Sequence, residues 1–449
     1  MSGSRLTIPE PNIALYEQGF EAASDLGRAP DGKKLSDLVE RIEEPMVIAV
    51  DAPWGAGKSV FLKCWVGEHI KAEHGNKATT VYFDAFQHDF LDDPLIALTG
   101  VIAERFKRVS SKSKKWRPVK EAASKLVRPA ARIGLALATA GASEAAGVIV
   151  DAGLAAGSEE LAKASEKFWK KEDGKRAAMQ SFRDALEQLA AEQKLVIVVD
   201  ELDRCRPDYA LNLLEVIKHF FNVPNVHFVL GVNLTELENS VRARYGAGVN
   251  ASKYLQKFYN VRMPLLLRTA VRSQKGELYG YFAARATELD IKNERYFFAF
   301  EIYFEIFQHL PDFSLRDVNA LLTEALLCPR ADARRDKLGW YLTAGLIALK
   351  AISPETLREL RSSEFDGAKA KKDIFTTFGL DRLPSVTIDK DHQRIKTAWE
   401  WVLEDRFVEG YEKKIVDEGL IDSAPKNRRA YLRGLMKNSV DTFEFAGRN

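Results

Sequence analysis

The sequence predicts an α/β fold: a parallel sheet interrupted by a helical insert and followed by an α-helical C-terminal domain. Three observations predict it. Met46–Ala52 (MVIAVDA) is a short apolar run that ends in a glycine-rich turn and is followed by an amphipathic stretch, the pattern of buried strand, tight turn and helix. Leu195–Val199 is an unbroken apolar run closed by the acidic pair Asp200-Glu201, as expected of a strand buried on both faces of a parallel sheet. Ala210, Leu213, Leu214, Ile217, Phe220 and Phe221 then recur at helical spacing before a further apolar run, Val226–Val232. That places a crossover helix between two strands.

The bulk composition narrows the classes. The 449 residues are 46% hydrophobic and 29% charged, which suits a globular protein with two or three domains, or one large domain with appendages. With 66 basic and 64 acidic residues the net charge is only +2. Nucleic-acid or membrane contact therefore has to rest on a local patch. Cys64, Cys205 and Cys328 lie far apart with no metal-like spacing, which fits free thiols in a reducing compartment. The N-terminal stretch MSGSRLTIPEPNIALYEQG has no apolar h-region, so the expected location is cytoplasmic, with peripheral membrane association as the alternative.

Each element of the core carries chemistry at its end. Ala52, Pro53, Trp54, Gly55, Ala56, Gly57, Lys58, Ser59 and Val60 run from the first strand into its helix, matching the [A/G]-x4-G-K-[S/T] form of a P-loop. The glycines let backbone N–H groups curl around a β-phosphate, and Lys58 supplies a point charge for the β/γ oxygens. The Ser59 hydroxyl can ligate Mg²⁺, and the following helix presents its positive end to the anion. Ala52 stands where the stricter pattern has glycine. The acidic pair completes the set: Asp200 would join the Mg²⁺ shell, and Glu201 would orient and deprotonate an attacking water. Asn233, at the tip of the next strand, has two readings, a reporter of the γ-phosphate or the N-cap of the next helix.

Four further stretches keep company with the P-loop: VYFDAFQHDFLDDPLIAL (81–98), VIVVDELDRCRPDYALNLLEVIKHFF, SKYLQKFYNVRMPL (252–265) and LPDFSLRDVNALLTEALL (310–327). In this order, over about residues 25–330, the chain resembles the KAP family of P-loop NTPases, relatives of the STAND and AAA-like ATPases. The family signature usually reads Asp-Asp-Leu-Asp-Arg, where this chain has Asp200-Glu201-Leu202-Asp203-Arg204. Phe-Asp-Ala-Phe likewise stands where Phe-Asn-Ala-Trp is more usual. The resemblance implies that Asp203 and Arg204 belong to the nucleotide side and that Arg316 senses the γ-phosphate. The plainer reading of Arg316 is a solvated charge, since Leu315, Val318, Leu321, Leu322 and Leu326 form the apolar face of its helix. Lys253 and Lys257, at i,i+4, read as a solvated face.

Between Lys58 and Asp200 the chain is too long for one or two crossovers, so an insert is expected. Its first part, 105–132, is strongly basic against the single acid Glu121, and 133–157 is rich in Ala and Gly. The family often carries transmembrane helices here. Glu144 and Asp151 break the apolar run, whereas a spanning helix needs about 20 largely apolar residues. The stretch therefore reads as a packing or oligomerisation element, and stable membrane insertion is not expected. The basic run reads as a solvated connector, with nucleic acid or anionic lipid as alternatives. The expected division is 1–104 and 176–265 for the two parts of the P-loop NTPase core and 105–175 for the insert. A helical lid or sensor region takes 266–350, and a helical C-terminal region takes 351–449.

The expected function is Mg²⁺-dependent ATP hydrolysis used as a conformational switch, with ATP chosen over GTP by resemblance. A homo-oligomer or a partner protein from the same system is the expected assembly. Bacterial relatives are often found in phage-defence settings, which makes antiviral defence the leading biological reading. Two alternatives use the same P-loop. One is a small-molecule kinase, in which a water-activating Glu201 would waste ATP; the other is a nucleotide-binding scaffold with little hydrolysis.

Overall fold

The computed structural model describes residues 12–71, 74–91, 93–110, 172–265, 276–291, 297–308, 310, 313–328, 336–362, 365–380, 390–404 and 409–441. The Ala/Gly-rich stretch 133–157 and most of the basic run lie outside the described residues. The chain forms two compact units, Ile13–Leu266 and Leu267–Asn449 with Met1–Asn12.

In chain order the first unit contains α1 (Ala29–Arg41), β1 (Val47–Asp51), α2 (Lys58–His69), β2 (Thr79–Asp84), α3 (Pro94–Ser110) and α4 (Glu172–Glu192). It continues with β3 (Leu195–Asp200), α5 (Pro207–Lys218), β4 (Val226–Val232), α6 (Leu234–Tyr245), α7 (Ala251–Leu255) and β5 (Val261–Pro264). The five strands lie in the order β2-β3-β4-β1-β5, and every neighbouring pair is parallel. This is the parallel α/β P-loop core expected from the apolar runs.

Strand alternation divides the side chains between two helical layers. Val47, Ala49, Val81, Phe83, Leu195, Ile197, Val199, Phe228 and Leu230 face a core shared with Leu98, Ile102, Phe182, Leu186, Leu213 and Leu214. The opposite face meets α2: the Thr80 hydroxyl donates to the Val66 carbonyl at 3.1 Å, and Leu62 packs against Gly231. Buried on both sides, the strands have no polar face to show, which is why the sequence reads as continuous apolar runs.

Polar groups pin the margins. The Lys194 ammonium donates to the carbonyls of Val39, Glu40 and Ile42 at 2.7–3.0 Å, satisfying the bare C-terminal end of α1 where the helix dipole is negative. On the open edge of β2, the Tyr16 hydroxyl accepts the Tyr82 N–H at 2.8 Å and Arg105 Nε donates to the Thr80 carbonyl at 3.0 Å. The Arg105 guanidinium also lies 3.6 Å from the centre of the Tyr16 ring. Side chains thus use up hydrogen-bonding groups that would otherwise invite a foreign strand.

The regular elements of the second unit's described residues are all helices: α8 (Glu277–Glu288), α9 (Phe297–Phe307), α10 (Leu315–Leu327), α11 (Lys337–Ile352), α12 (Pro354–Arg361), α13 (Gly367–Phe378), α14 (Lys390–Leu403), α15 (Glu409–Asp417) and α16 (Arg428–Ser439). Its centre is aromatic. Phe282 stacks on Phe304, and the Trp399 indole donates to the buried Tyr303 hydroxyl at 2.7 Å. The expected buried helix at 338–352 is α11, and Gly345 on it leaves room for Tyr303 and Trp399. Among the described residues no helix is long and apolar enough to cross a membrane.

His227, on the α2 side of β4, is fully buried. Burial, and after it the nearby Lys194 ammonium, push its imidazole down to about 4. The fold holds the neutral ring, so its contribution is complete above about pH 6.5 and is lost as the pH falls toward 4, up to roughly 3 kcal/mol. Urea midpoints should therefore drop between pH 7 and pH 4.5, and His227→Gln should flatten that drop.

Candidate functional site

All strands of the sheet point the same way, so the ends of β1, β3 and β4 share one edge, where ligands of open α/β sheets are found. After β1 the chain turns through Gly55 (φ 82°) and Gly57 (φ 79°), left-handed conformations that a side chain would strain. Helix α2 starts at Lys58 with Gly57 as N-cap and no side-chain capping bond, so its first-turn N–H groups are free to meet an anion. Pro53 and Trp54 are exposed, Gly55, Ser59 and Val60 are half-buried, and Ala56 and Lys58 are buried.

The acidic pair is brought to this turn by an unusual backbone. Successive residues of an extended strand point to opposite faces, so Asp200 and Glu201 would diverge if β3 simply continued. Instead Glu201 takes φ 60° and ψ 24°, a conformation uncommon outside glycine. Its carboxylate then accepts from the Ser59 hydroxyl and pairs with Arg204 Nε at 3.0 Å.

Asp200 is fully buried. Its Oδ2 accepts from the Tyr82 hydroxyl at 2.7 Å and its Oδ1 from the Glu201 N–H at 2.8 Å. Burial, then the Glu201 charge, push its carboxyl up to about 6; the hydrogen bonds from Tyr82, Glu201 and Ser59 oppose that rise. Gly231 makes the room: a Cβ there would lie 2.4 Å from both Asp200 Oδ1 and Leu62 Cδ1.

Asp203 reaches the loop from the other side. Its Oδ2 accepts from the Trp54 indole at 2.5 Å, and its Oδ1 lies 3.5 Å from the Lys58 ammonium. Lys58 also donates to the Ala52 carbonyl at 3.3 Å. Asn233 is the N-cap of α6, accepting the Glu236 N–H at 3.4 Å. Arg316 belongs to the helical unit, exposed in the first turn of α10 behind a capping box of Ser314 and Asp317. Lys253 and Lys257 are exposed.

The structure thus gathers Lys58, Ser59, Asp200, Glu201, Asp203 and Arg204 with Trp54. It adds Tyr82, Gly231, Asp89 and Arg206, which the sequence reading did not single out. The Asp89 carboxylate accepts the Arg206 N–H at 2.7 Å and Arg206 Nε at 2.6 Å. A lone glycine inside an apolar strand is the one available signal among these, because it marks a close approach. Nothing in the spacing announces Tyr82 or the Asp89–Arg206 pair.

A profile of the KAP family P-loop domain matches residues 28–279. Comparison with curated proteins gives no match. Among solved structures the chain is similar to the ORC2 protein of Aeropyrum pernix. For its ADPNP–ADP complexes the identity is 12% and the TM-score 0.35, over 97% of this chain and 99% of that one. For the ADP form the values are 12% and 0.33, over 96% of each. The profile spans more than half of the sequence and includes the phosphate loop, the acidic turn and the whole sheet, so the chain belongs to the KAP family.

Proposed function

We propose that this chain hydrolyses ATP with Mg²⁺ and uses the turnover as a conformational switch. One observation carries the reading: the Glu201 carboxylate, turned out of strand alternation, meets the Ser59 hydroxyl at the mouth of the phosphate loop. Strained backbone of this kind persists where surrounding contacts over-determine it, and it clusters at functional sites.

The donor set suits magnesium. The Ser59 hydroxyl and the Asp200 and Glu201 carboxylates are hard oxygen ligands within reach of one another, and Mg²⁺ takes one or two carboxylates with phosphates and water. Ser59 and Asp200 would hold it, and its chemistry there is to neutralise charge on the β and γ oxygens. Lys58 places a cation at the same oxygens, and the N–H groups of the loop and of α2 orient them. Glu201 takes the proton of the attacking water as its oxygen approaches the γ-phosphorus in line with the leaving β-phosphate oxygen. Arg204, paired with Glu201, keeps that carboxylate aimed. Strand-tip position supports Asn233 as a reporter of the γ-phosphate, and the family resemblance supports Arg316 in the same role. Family membership also supports phage defence as the setting, with a second copy or a partner protein as the responder. Loss of plaque protection in a Glu201→Gln strain would test that setting.

The deciding experiment is phosphate release from Mg-ATP with no added acceptor. Release at a steady rate is expected; release only on adding a small-molecule acceptor would instead make the chain a kinase.

Lys58→Ala should abolish ATP binding measured by calorimetry, because the cradle loses its side-chain cation. Unchanged affinity would refute the phosphate-loop role.

Glu201→Gln should keep ATP and Mg²⁺ bound while turnover falls roughly 10²-fold or more. Asp200→Asn should instead weaken the Mg²⁺-dependent part of binding. If the two variants match in both binding and turnover, the division of labour between the carboxylates is wrong.

A further inference from the structure

The Lys58 ammonium is claimed twice. Under the proposed function, on which this inference rests, it serves the β and γ oxygens of the nucleotide; in the structure it pairs with Asp203 Oδ1 at 3.5 Å. Both side chains are almost wholly buried, 7% and 2% exposed. The contact is nevertheless loose: Asp203 Oδ1 is a buried oxygen with no hydrogen bond, and such an atom is poorly compensated for the water it has lost. An ion pair this long can be given up to a phosphate, provided the carboxylate is not left bare, because an unpaired buried charge is strongly destabilising. The Trp54 indole meets that condition. It donates to the other oxygen, Oδ2, at 2.5 Å, and that bond need not break when Lys58 turns away.

We propose that Asp203 is a positioning residue that competes with the nucleotide's phosphates for Lys58, and that Trp54 holds its carboxylate when Lys58 is surrendered. The exchange sets how tightly nucleotide is held. Asp203 weakens binding by offering Lys58 an alternative anion and by placing negative charge beside the phosphates. Trp54 strengthens binding by satisfying Asp203 in the bound state. The two residues therefore act in opposite directions through one contact.

The test uses calorimetric titration of the full chain with Mg²⁺ and a non-hydrolysable ATP analogue. Asp203→Asn should tighten binding about tenfold, as expected for directly coupled neighbours. Trp54→Phe should loosen it several-fold. The double variant should bind like Asp203→Asn alone, since the indole has no charge left to hold. A residue that only braces the loop would give weaker or unchanged binding on replacement, so that result for Asp203→Asn overturns the proposal. A Trp54→Phe loss that persists undiminished when combined with Asp203→Asn also overturns it. Should Asp203→Asn not fold, Trp54→Phe decides by itself: the ring is 44% exposed, and unchanged affinity would sink the idea. Lys58→Ala separates the two levels. If it leaves analogue binding intact, the nucleotide reading itself fails; if it abolishes binding while Asp203→Asn does not tighten it, only the competition fails.

Discussion

The site depends on a gap set by the sheet. Strand β4 lies between β1 and β3, so the phosphate loop and the acidic turn start two strand spacings apart, roughly 9–10 Å. Neither backbone can cross that distance, and side chains must. Ser59 to Glu201, Lys58 to Asp203 and Trp54 to Asp203 are the three crossings. Each pairs a residue of the loop or of the first turn of α2 with one from the turn after β3. The width of the gap is thus filled by hydroxyl, ammonium, indole and carboxylate groups, the chemistry that recognises phosphate and its cation.

Once the gap exists, the turn at Glu201 decides what faces it. A residue with φ 60° sits in the left-handed region at some cost, on the order of 1–3 kcal/mol for strained positions of this kind. The compensation is local. The Glu201 N–H donates to Asp200 Oδ1, and its carboxylate takes both Ser59 and Arg204. The carboxylate contacts need the side chain swung back toward the loop. Asp200 meets the opposite problem, full burial, and solves it with two hydrogen bonds and a neighbour that has no side chain, Gly231.

The parts that sequence made legible are those governed by repeating physics. Buried parallel strands need apolar runs, and Met46–Ala52, Leu195–Val199 and Val226–Val232 supply them; the P-loop is a local motif whose glycines and lysine announce themselves. What stayed hidden is what tertiary structure brings together. Trp54 and Asp203 lie 149 residues apart in the chain, and no period or spacing relates them. Asn233 caps α6, and its second reading, as a reporter of the γ-phosphate, rests on its place at the strand tip. Tyr82 reads as an ordinary β-former until its hydroxyl is seen on Asp200. Strand order, too, is not written in any single run of residues.

The stretch around Tyr82–Asp89 braces the turn that carries the acidic pair. The turn Asp200–Arg206 must be held at both ends, since Glu201 near its start is strained and its residues reach across the gap. Its start is held by Tyr82 on β2, which pairs in register with β3. Its end is held by Asp89, which accepts both the backbone N–H and the guanidinium of Arg206 just before α5 begins. Both clamps therefore come from one strand and the loop that follows it. Tyr82 and Asp89 need to touch no nucleotide for the phosphate site to depend on them. A carboxylate that must stay buried, and an acidic neighbour that must stay turned, need rigid supports on the side away from the ligand, and β2 is the only strand in position to supply them among the described residues.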